Sequence, residues 1–282
     1  MKLVIKARQV DLDQISYSAI KVHDSGAKQA YVNYGPDNDR LILQSPRFIL
    51  PFNMSTFDKG ERKTHSFEAS FRDMEDYPSL TEFYEKFQAL DTKFINDGLK
   101  YSMSWFKKKK SLLSREIVEA LYHPLIKPSR DKITGEPDGR YPPTMRFKLP
   151  FFNNKFQFEV FDFNRNKIDL TETPLNELLV KGSKVSALVQ CSGMWFASGR
   201  FGCTWNVVQL KVKVPARLQQ YAFLSDSDDE EGDAASNVPT SGTAVAGSDS
   251  DSDSDSESES DEKPVTPVKI VKKPRGRRKK KI

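Results

Sequence analysis

Between His65 and Arg72, apolar Phe67, Ala69 and Phe71 alternate with Ser66, Glu68, Ser70 and Arg72. That period of two predicts a strand with one buried and one solvated face. Ile15–Val22, Lys28–Tyr34 and Leu41–Leu50 are rich in β-branched and aromatic residues, and turn clusters at 23–26 and 35–39 separate them. They read as antiparallel strands. The period then changes. Leu80, Phe83, Tyr84, Phe87, Leu90 and Phe94 recur at helical spacing behind Ser79-Leu-Thr-Glu82, a capping-box pattern, which predicts an amphipathic helix from Leu80 to Trp105. A shorter helix, Arg115–Tyr122, is expected behind Ser114 and before His123-Pro124. Residues 127–143 hold four prolines and two glycines and read as a long loop, a length that usually means function or mobility. Strands resume at Thr144–Leu149 and Lys155–Phe163, and Thr173-Pro174 opens a helical turn through Leu179. Lys184–Cys191 and Cys203–Val214 are strands around a glycine-containing hairpin region. The expected body is a strand-rich α+β domain.

Alternation within the last of these strands first points to chemistry. If Val208, Leu210, Val212 and Val214 form the core face, then Trp205, Val207, Gln209, Lys211 and Lys213 face outward. An aromatic ring followed by an amide and two lysines suits a single strand of nucleic acid, whose bases stack on rings while ammonium groups meet phosphates. Trp195 falls opposite Met194 and Phe196, and Arg200 and Phe201 lie between Gly199 and Gly202 at an expected turn. Arg146 and Lys148 occupy the polar face of their own strand, near Tyr141. Plainer readings stand beside this one. A strand tryptophan can be packing, paired lysines can be a solvated face, and a bulge at Gly202 would reverse the parity. Cys191 and Cys203 read as packed thiols that could be cross-strand neighbours.

Composition sharpens the picture by being uneven. The chain has 282 residues and a formal charge of +5, yet all its Phe, Tyr and Trp precede Ser225. The stretch 226–262 carries 14 acids and no base, and 263–282 carries 10 bases and no acid, so the body holds 34 bases against 25 acids. The acidic Ser/Asp/Glu tract cannot bury anything and is expected to be disordered. Ser225 and Ser227 each precede an acid three residues on and are candidate phosphorylation sites. The basic arm Lys272, Lys273, Arg275, Arg277, Arg278, Lys279, Lys280 and Lys281 fits nuclear import or non-specific DNA contact, and its Pro274-Arg-Gly-Arg277 resembles an AT-hook.

Other classes fall away. No apolar run approaches the roughly 18 residues of a membrane span, and the first residues are too short and charged for a signal peptide. Two cysteines point to a reducing, intracellular compartment. His23, His65 and His123 lack metal-ligand spacing with the cysteines, and no P-loop, GxGxxG or GxSxG motif occurs. A non-enzymatic protein is expected, with no cofactor, metal, membrane or small-molecule substrate.

Two segments carry a family resemblance. Lys181-Gly-Ser-Lys-Val-Ser-Ala-Leu-Val-Gln-Cys-Ser-Gly-Met-Trp-Phe196 and Gly199-Arg-Phe-Gly-Cys-Thr-Trp-Asn-Val-Val-Gln-Leu-Lys-Val212 resemble the C-terminal signature of single-stranded DNA-binding proteins of large eukaryotic (nucleocytoplasmic) DNA viruses. Tyr141-Pro-Pro-Thr-Met-Arg-Phe-Lys-Leu-Pro150 resembles the strand before it. The resemblance covers roughly 120–215 and implies an OB-fold β-barrel similar to phage replication proteins, binding single-stranded DNA at a viral replication fork. It points to Trp195, Arg200, Phe201, Trp205 and Lys211. The acidic tract would modulate binding or recruit fork proteins, although phage-type relatives end at such a tract and this chain continues into a basic arm. The expected organisation is thus an OB-like domain over 1–224 (1–75 either completing the barrel or forming a subdomain), a disordered acidic tract over 225–262 and a basic arm over 263–282. The host nucleus or a viral replication compartment is the expected location, and the choice between DNA and RNA stays open. The alternative reading is a nuclear, acidic-tailed chromatin interaction protein, histone-binding or scaffolding, without a nucleic-acid groove.

Overall fold

The structure is a computed structural model that describes residues 4–24, 26–60 and 62–215. The basic arm, the acidic tract, Ser225 and Ser227 lie outside the described residues. The described chain is α+β and strand-rich. Five strands organise it: β1 (Phe48–Ile49), β2 (Arg62–Ser70), β3 (Thr144–Leu149), β4 (Lys184–Ala197) and β5 (Arg200–Lys213).

Their pairings close a circuit. β1 meets β2 at Ile49↔Ser70, and β2 runs antiparallel to β3 from His65↔Leu149 to Ser70↔Thr144. β3 lies parallel to β5 at Lys148↔Asn206, and β5 returns antiparallel along β4 from Ala197↔Arg200 to Lys184↔Lys213. β4 reaches β1 again at Val185↔Phe48. Strands from the first 75 residues therefore supply two of the five members. The expected strands at 15–22, 28–34 and 41–50 are each broken into shorter pieces; Lys28–Ala30 and Ile42–Gln44 pair along β4.

Inside the circuit, alternate residues of every strand are buried: Phe67 and Ala69, Met145 and Phe147, Val185 and Ala187, Leu210 and Val212. The helix α1 (Pro78–Lys100) covers this inner side with Leu80, Phe83, Phe87, Leu90 and Phe94. Phe83 lies 5.5 Å from Phe48, and Phe87 lies 4.8 Å from Trp205, centroid to centroid. Each such side chain gains about 1.5–3 kcal/mol on full burial, which outweighs the few tenths set by helix propensity at any one position.

Two helix expectations need correction. The helix begins at Pro78 behind Tyr77, with no side-chain cap. Pro at the first position starts the helix one residue before the Ser79 pattern, so Ser79 lies inside the helix instead of capping it. It also ends early, at Tyr101 (φ −100°, ψ 21°), and resumes as α2 (Ser102–Phe106). The break lets Trp105 turn onto Tyr17 and Phe196, 5.0 and 5.3 Å away. A third helix, α3 (Arg115–Leu121), is capped by Ser114, whose hydroxyl accepts from the Ile117 N–H at 3.4 Å.

The next segment fills the gap where β3 and β5 diverge. Tyr122 and His123 pair with Phe201 and Gly202, and Ile126 and Lys127 pair with Met145 and Thr144. Asp91 of α1 holds the segment down, accepting from the Tyr122 hydroxyl at 2.6 Å and the Leu125 N–H at 3.0 Å. Burial raises the Asp91 carboxyl to about 6, against these hydrogen bonds that favour its ionised form.

Candidate functional site

The β4–β5 hairpin sets which side chains meet solvent. It turns at Ser198 (φ 47°) and Gly199 (φ 77°), the two positive angles of a tight turn whose twist suits flanking strands. Its register then slips: Val189 faces Val207, whereas Leu188 faces Gln209. Val208 is the extra residue of a β-bulge, and a bulge exchanges the two faces of a strand.

The consequence corrects two site expectations. Before the bulge, Cys203, Trp205 and Val207 point inward; after it, Leu210 and Val212 do. Trp205 is therefore 1% exposed, packed against Phe87, and cannot offer its ring to a base. Phe201 is also buried, stacked on Phe196 at 6.3 Å and touching Phe106 at 5.1 Å. It lies within the strand, since the turn is at 198–199. Cys191 and Cys203 lie on the same inner side, their sulfurs 3.1 Å apart, and burial holds the Cys203 thiol well above its usual pKa.

The other seven expected residues share the outer face. Paired positions across a sheet project to the same side, so the register can be followed strand by strand. Ser66, Lys148, Asn206 and Gln190 form one row across β2, β3, β5 and β4. Arg146 lies one step along from Lys148. In the other direction along β5, past the bulge, come Gln209, Lys211 and Lys213. Toward the hairpin turn, Trp195 lies across Gly202, with Arg200 beyond it at the tip. A Cβ on Gly202 would come within 2.7 Å of the Trp195 ring, so only glycine lets the indole lie flat there. Trp195 is half-buried, and beyond Gly202 its ring faces His123, 6.0 Å away centroid to centroid.

At the opposite end of the same face lies Phe57, in the strand Ser55–Lys59, paired with Thr64 of β2. Its side chain is 54% exposed. Phe152, which follows β3 in the short hairpin Phe151–Phe152 with Lys155–Phe156, is 66% exposed. Its neighbour Phe151 turns inward onto His65 at 4.6 Å. Sequence reasoning missed Phe57, Phe152, His123, Asn206 and Gln190. The His65-to-Arg72 alternation, extended back to Thr64, places Phe57 only once its hairpin partner is known, and nothing local marks the others.

Charge on this face is not uniformly positive. Arg146 forks onto Glu68, with Nε and Nη2 at 3.3 and 3.2 Å from the same oxygen. Glu159, opposite Gln209, accepts from Lys167 at 2.9 Å and from the Gln209 amide at 3.3 Å, and those partners lower its pKa. Lys184, Lys211 and Lys213 add cations beside it, all exposed. Tyr141 is exposed in the long loop, beneath the Arg140 guanidinium at 5.4 Å. Among the described residues, no three His, Cys, Asp or Glu side chains gather as a metal site would require. The arrangement is a solvated sheet face bearing cations and amides, with an aromatic group near each end.

Comparison with solved structures finds similarity to gp2.5, a single-stranded DNA binding protein encoded by bacteriophage T7. The TM-score is 0.38 at 14% identity, covering 70% of this chain and 100% of that one. The single-stranded DNA-binding protein from bacteriophage Enc34, in complex with ssDNA, is similar at a TM-score of 0.35 and 8% identity, over 74% of this chain and 99% of that one. Similarity this low leaves the chemistry to be read from the chain's own residues. An uncharacterized protein of Acanthamoeba polyphaga mimivirus, L291, is 24% identical over 200 residues, or 68% of this chain. The chain spans only 30% of the length of that relative. Residues 79–225, from the first turn of α1 through the β4–β5 hairpin, match the model of a family of unknown function, and the chain belongs to that family, DUF5871.

Proposed function

We propose that the five-strand circuit is an OB-like barrel whose outer face binds single-stranded DNA with little sequence preference, in replication, recombination or repair of a viral genome. The observation that carries this reading is the row Ser66–Lys148–Asn206–Gln190, lying between Trp195 at one end and Phe57 at the other. Exposed rings accept unstacked bases of any identity at about 1–3 kcal/mol each. Lysines along the same path neutralise phosphates, and amides reach phosphate or base edges. OB-folds bind oligonucleotides on a strand face and its adjoining loops. A duplex offers no unstacked bases, so it forgoes the stacking contribution. The acidic tract competes with the strand for this face or recruits partners, and the basic arm serves import into a nucleus or contact with DNA.

The rival reading, a chromatin interaction protein, gains from the burial of Trp205 and Phe201. It leaves unexplained why Trp195, Arg146, Lys148 and Lys211 share one solvated face. Fluorescence titration with oligo-dT decides between the two. Of the three tryptophans, Trp105 and Trp205 are buried, so quenching on binding must come from Trp195 and disappear in Trp195→Phe. Affinity should fall with salt at a slope of about 0.7 per phosphate neutralised. Equal affinity for duplex and single strand, once the 225–282 tail is removed, would reject the reading.

A further inference from the structure

A run of four lysines, Lys107–Lys110, also lies beside the hairpin turn, on the side covered by the helices. Phe106, the last residue of α2, packs on both Phe196 and Phe201, 6.1 and 5.1 Å from their rings. The chain leaves α2 through Lys107, held in the left-handed region at φ 58°. It therefore turns away from the helix axis into Lys108, Lys109 and Lys110, all exposed. On the neighbouring strand, Lys28 pairs with Phe196, and Lys21 pairs with Gln29, itself the partner of Trp195. Arg200 projects from the hairpin tip.

The acids nearby have other partners. Asp97 accepts from the Tyr17 hydroxyl at 2.5 Å and lies 3.1 Å from Lys93. Asp91 is taken by Tyr122 and Leu125. Glu119 holds Arg115 at 2.8 Å, and a hydrogen bond to Ser114 lowers the pKa of Glu116. Asp24 lies in the turn after Lys21. None of the described ion pairs includes Lys28, Arg200 or any of Lys107–Lys110.

We propose that Lys107–Lys110, with Lys28, form a second anion subsite, and that its occupant is the phosphate backbone of the same single strand as it runs past Trp195. The inference rests on the single-strand reading above. Two observations carry it: the run of lysines outside the described ion pairs, and its place at the same end of the hairpin as Trp195, since Phe106 packs on Phe196 and Phe201 on the side of the sheet opposite the Trp195 ring. The subsite is built of lysines, so it holds phosphates and reads no bases. It therefore lengthens the footprint without adding sequence preference. A short oligonucleotide that fills only the outer face should not sense it; a longer one should.

The test compares the full chain with a variant carrying Lys107→Gln, Lys108→Gln, Lys109→Gln and Lys110→Gln, and with the independent variant Lys28→Gln. Each is titrated with oligo-dT of about 8 and of about 25 nucleotides, lengths within and above the usual site size of about 4–16 nucleotides. The expected result is unchanged affinity for the short oligomer. Affinity for the long one should fall by about tenfold, with a salt slope lower by about 0.7 for each phosphate no longer neutralised. If the full chain binds neither oligomer, the single-strand reading itself fails. If it binds both, and both variants keep the full advantage for the long oligomer, only the subsite is overturned. Retained affinity for the long oligomer together with abolished adsorption to phosphatidylserine vesicles would also overturn it, making the lysines a membrane-binding patch.

Discussion

Two tryptophans ten positions apart on one hairpin have opposite environments, and substitution should separate them. Trp195 lies across Gly202 on the outer face; Trp205 is sealed against Phe87 on the inner one. Trp195→Ala should weaken oligo-dT binding by about 1–3 kcal/mol and leave the denaturation midpoint nearly unchanged. Trp205→Ala should cost about 3–5 kcal/mol of stability through the cavity it leaves, measured by urea unfolding. Trp205→Phe should cost much less, because the Trp205 Nε1–H is buried without a hydrogen-bond partner among the described residues and its loss removes an unsatisfied donor. A Trp195→Ala variant that bound normally would remove Trp195 as a stacking residue of the site.

At the level of elements, Asp91 joins α1 to the segment that fills the gap between β3 and β5. Its folded-state pKa, about 6, lies above the ordinary value of 3.8. The folded state therefore binds the proton more tightly than the unfolded chain does. That contribution is complete below about pH 4 and is lost as pH rises to about 6. Asp91→Asn keeps an oxygen to accept from Tyr122 and Leu125 and never ionises. The variant should melt higher than the parent at pH 7.5, and the difference should shrink toward pH 4. Calorimetric scans at the two pH values check this; an equal shift at both would mean that the carboxylate is not ionising in a buried setting. His65 is wedged between Phe151 and Phe156 and bonded through Nδ1 to the Thr56 hydroxyl at 2.9 Å, and burial lowers its pKa. It braces the hairpin that carries Phe152, another tie between the core and the outer face.

For the whole molecule, the net charge of +5 is the sum of a basic body, a tract with 14 acids and an arm with 10 bases. A polyanionic segment tethered to a cationic face competes with a polyanionic ligand at high local concentration. Deleting 226–262 should therefore tighten oligo-dT binding at low salt. The gain should fade toward 0.5 M salt as screening shortens the reach of each charge to a few Å. Unchanged affinity at low salt would mean that the tract acts elsewhere, as a recruiting or solubilising segment. Loss of binding would mean that the deletion had removed part of the site.

Period and turn chemistry by themselves determined where most elements fall: the strands at 65–72, 144–149 and 184–191, the amphipathic helix with Phe83 and Phe87 inward, and the Ser114 cap. These features depend on neighbours within a turn or two of chain, so they are written locally. Tertiary structure alone decided which face of the last strand is outside. One extra residue at Val208 exchanges the faces, and a bulge is set by pairing with a strand that carries no local mark of it. The same holds for Phe57, His123, Asn206 and Lys107–Lys110. Each joins the outer face or the hairpin end through a partner strand or a packed ring far away in sequence, and closing the five-strand circuit is what brings those partners together.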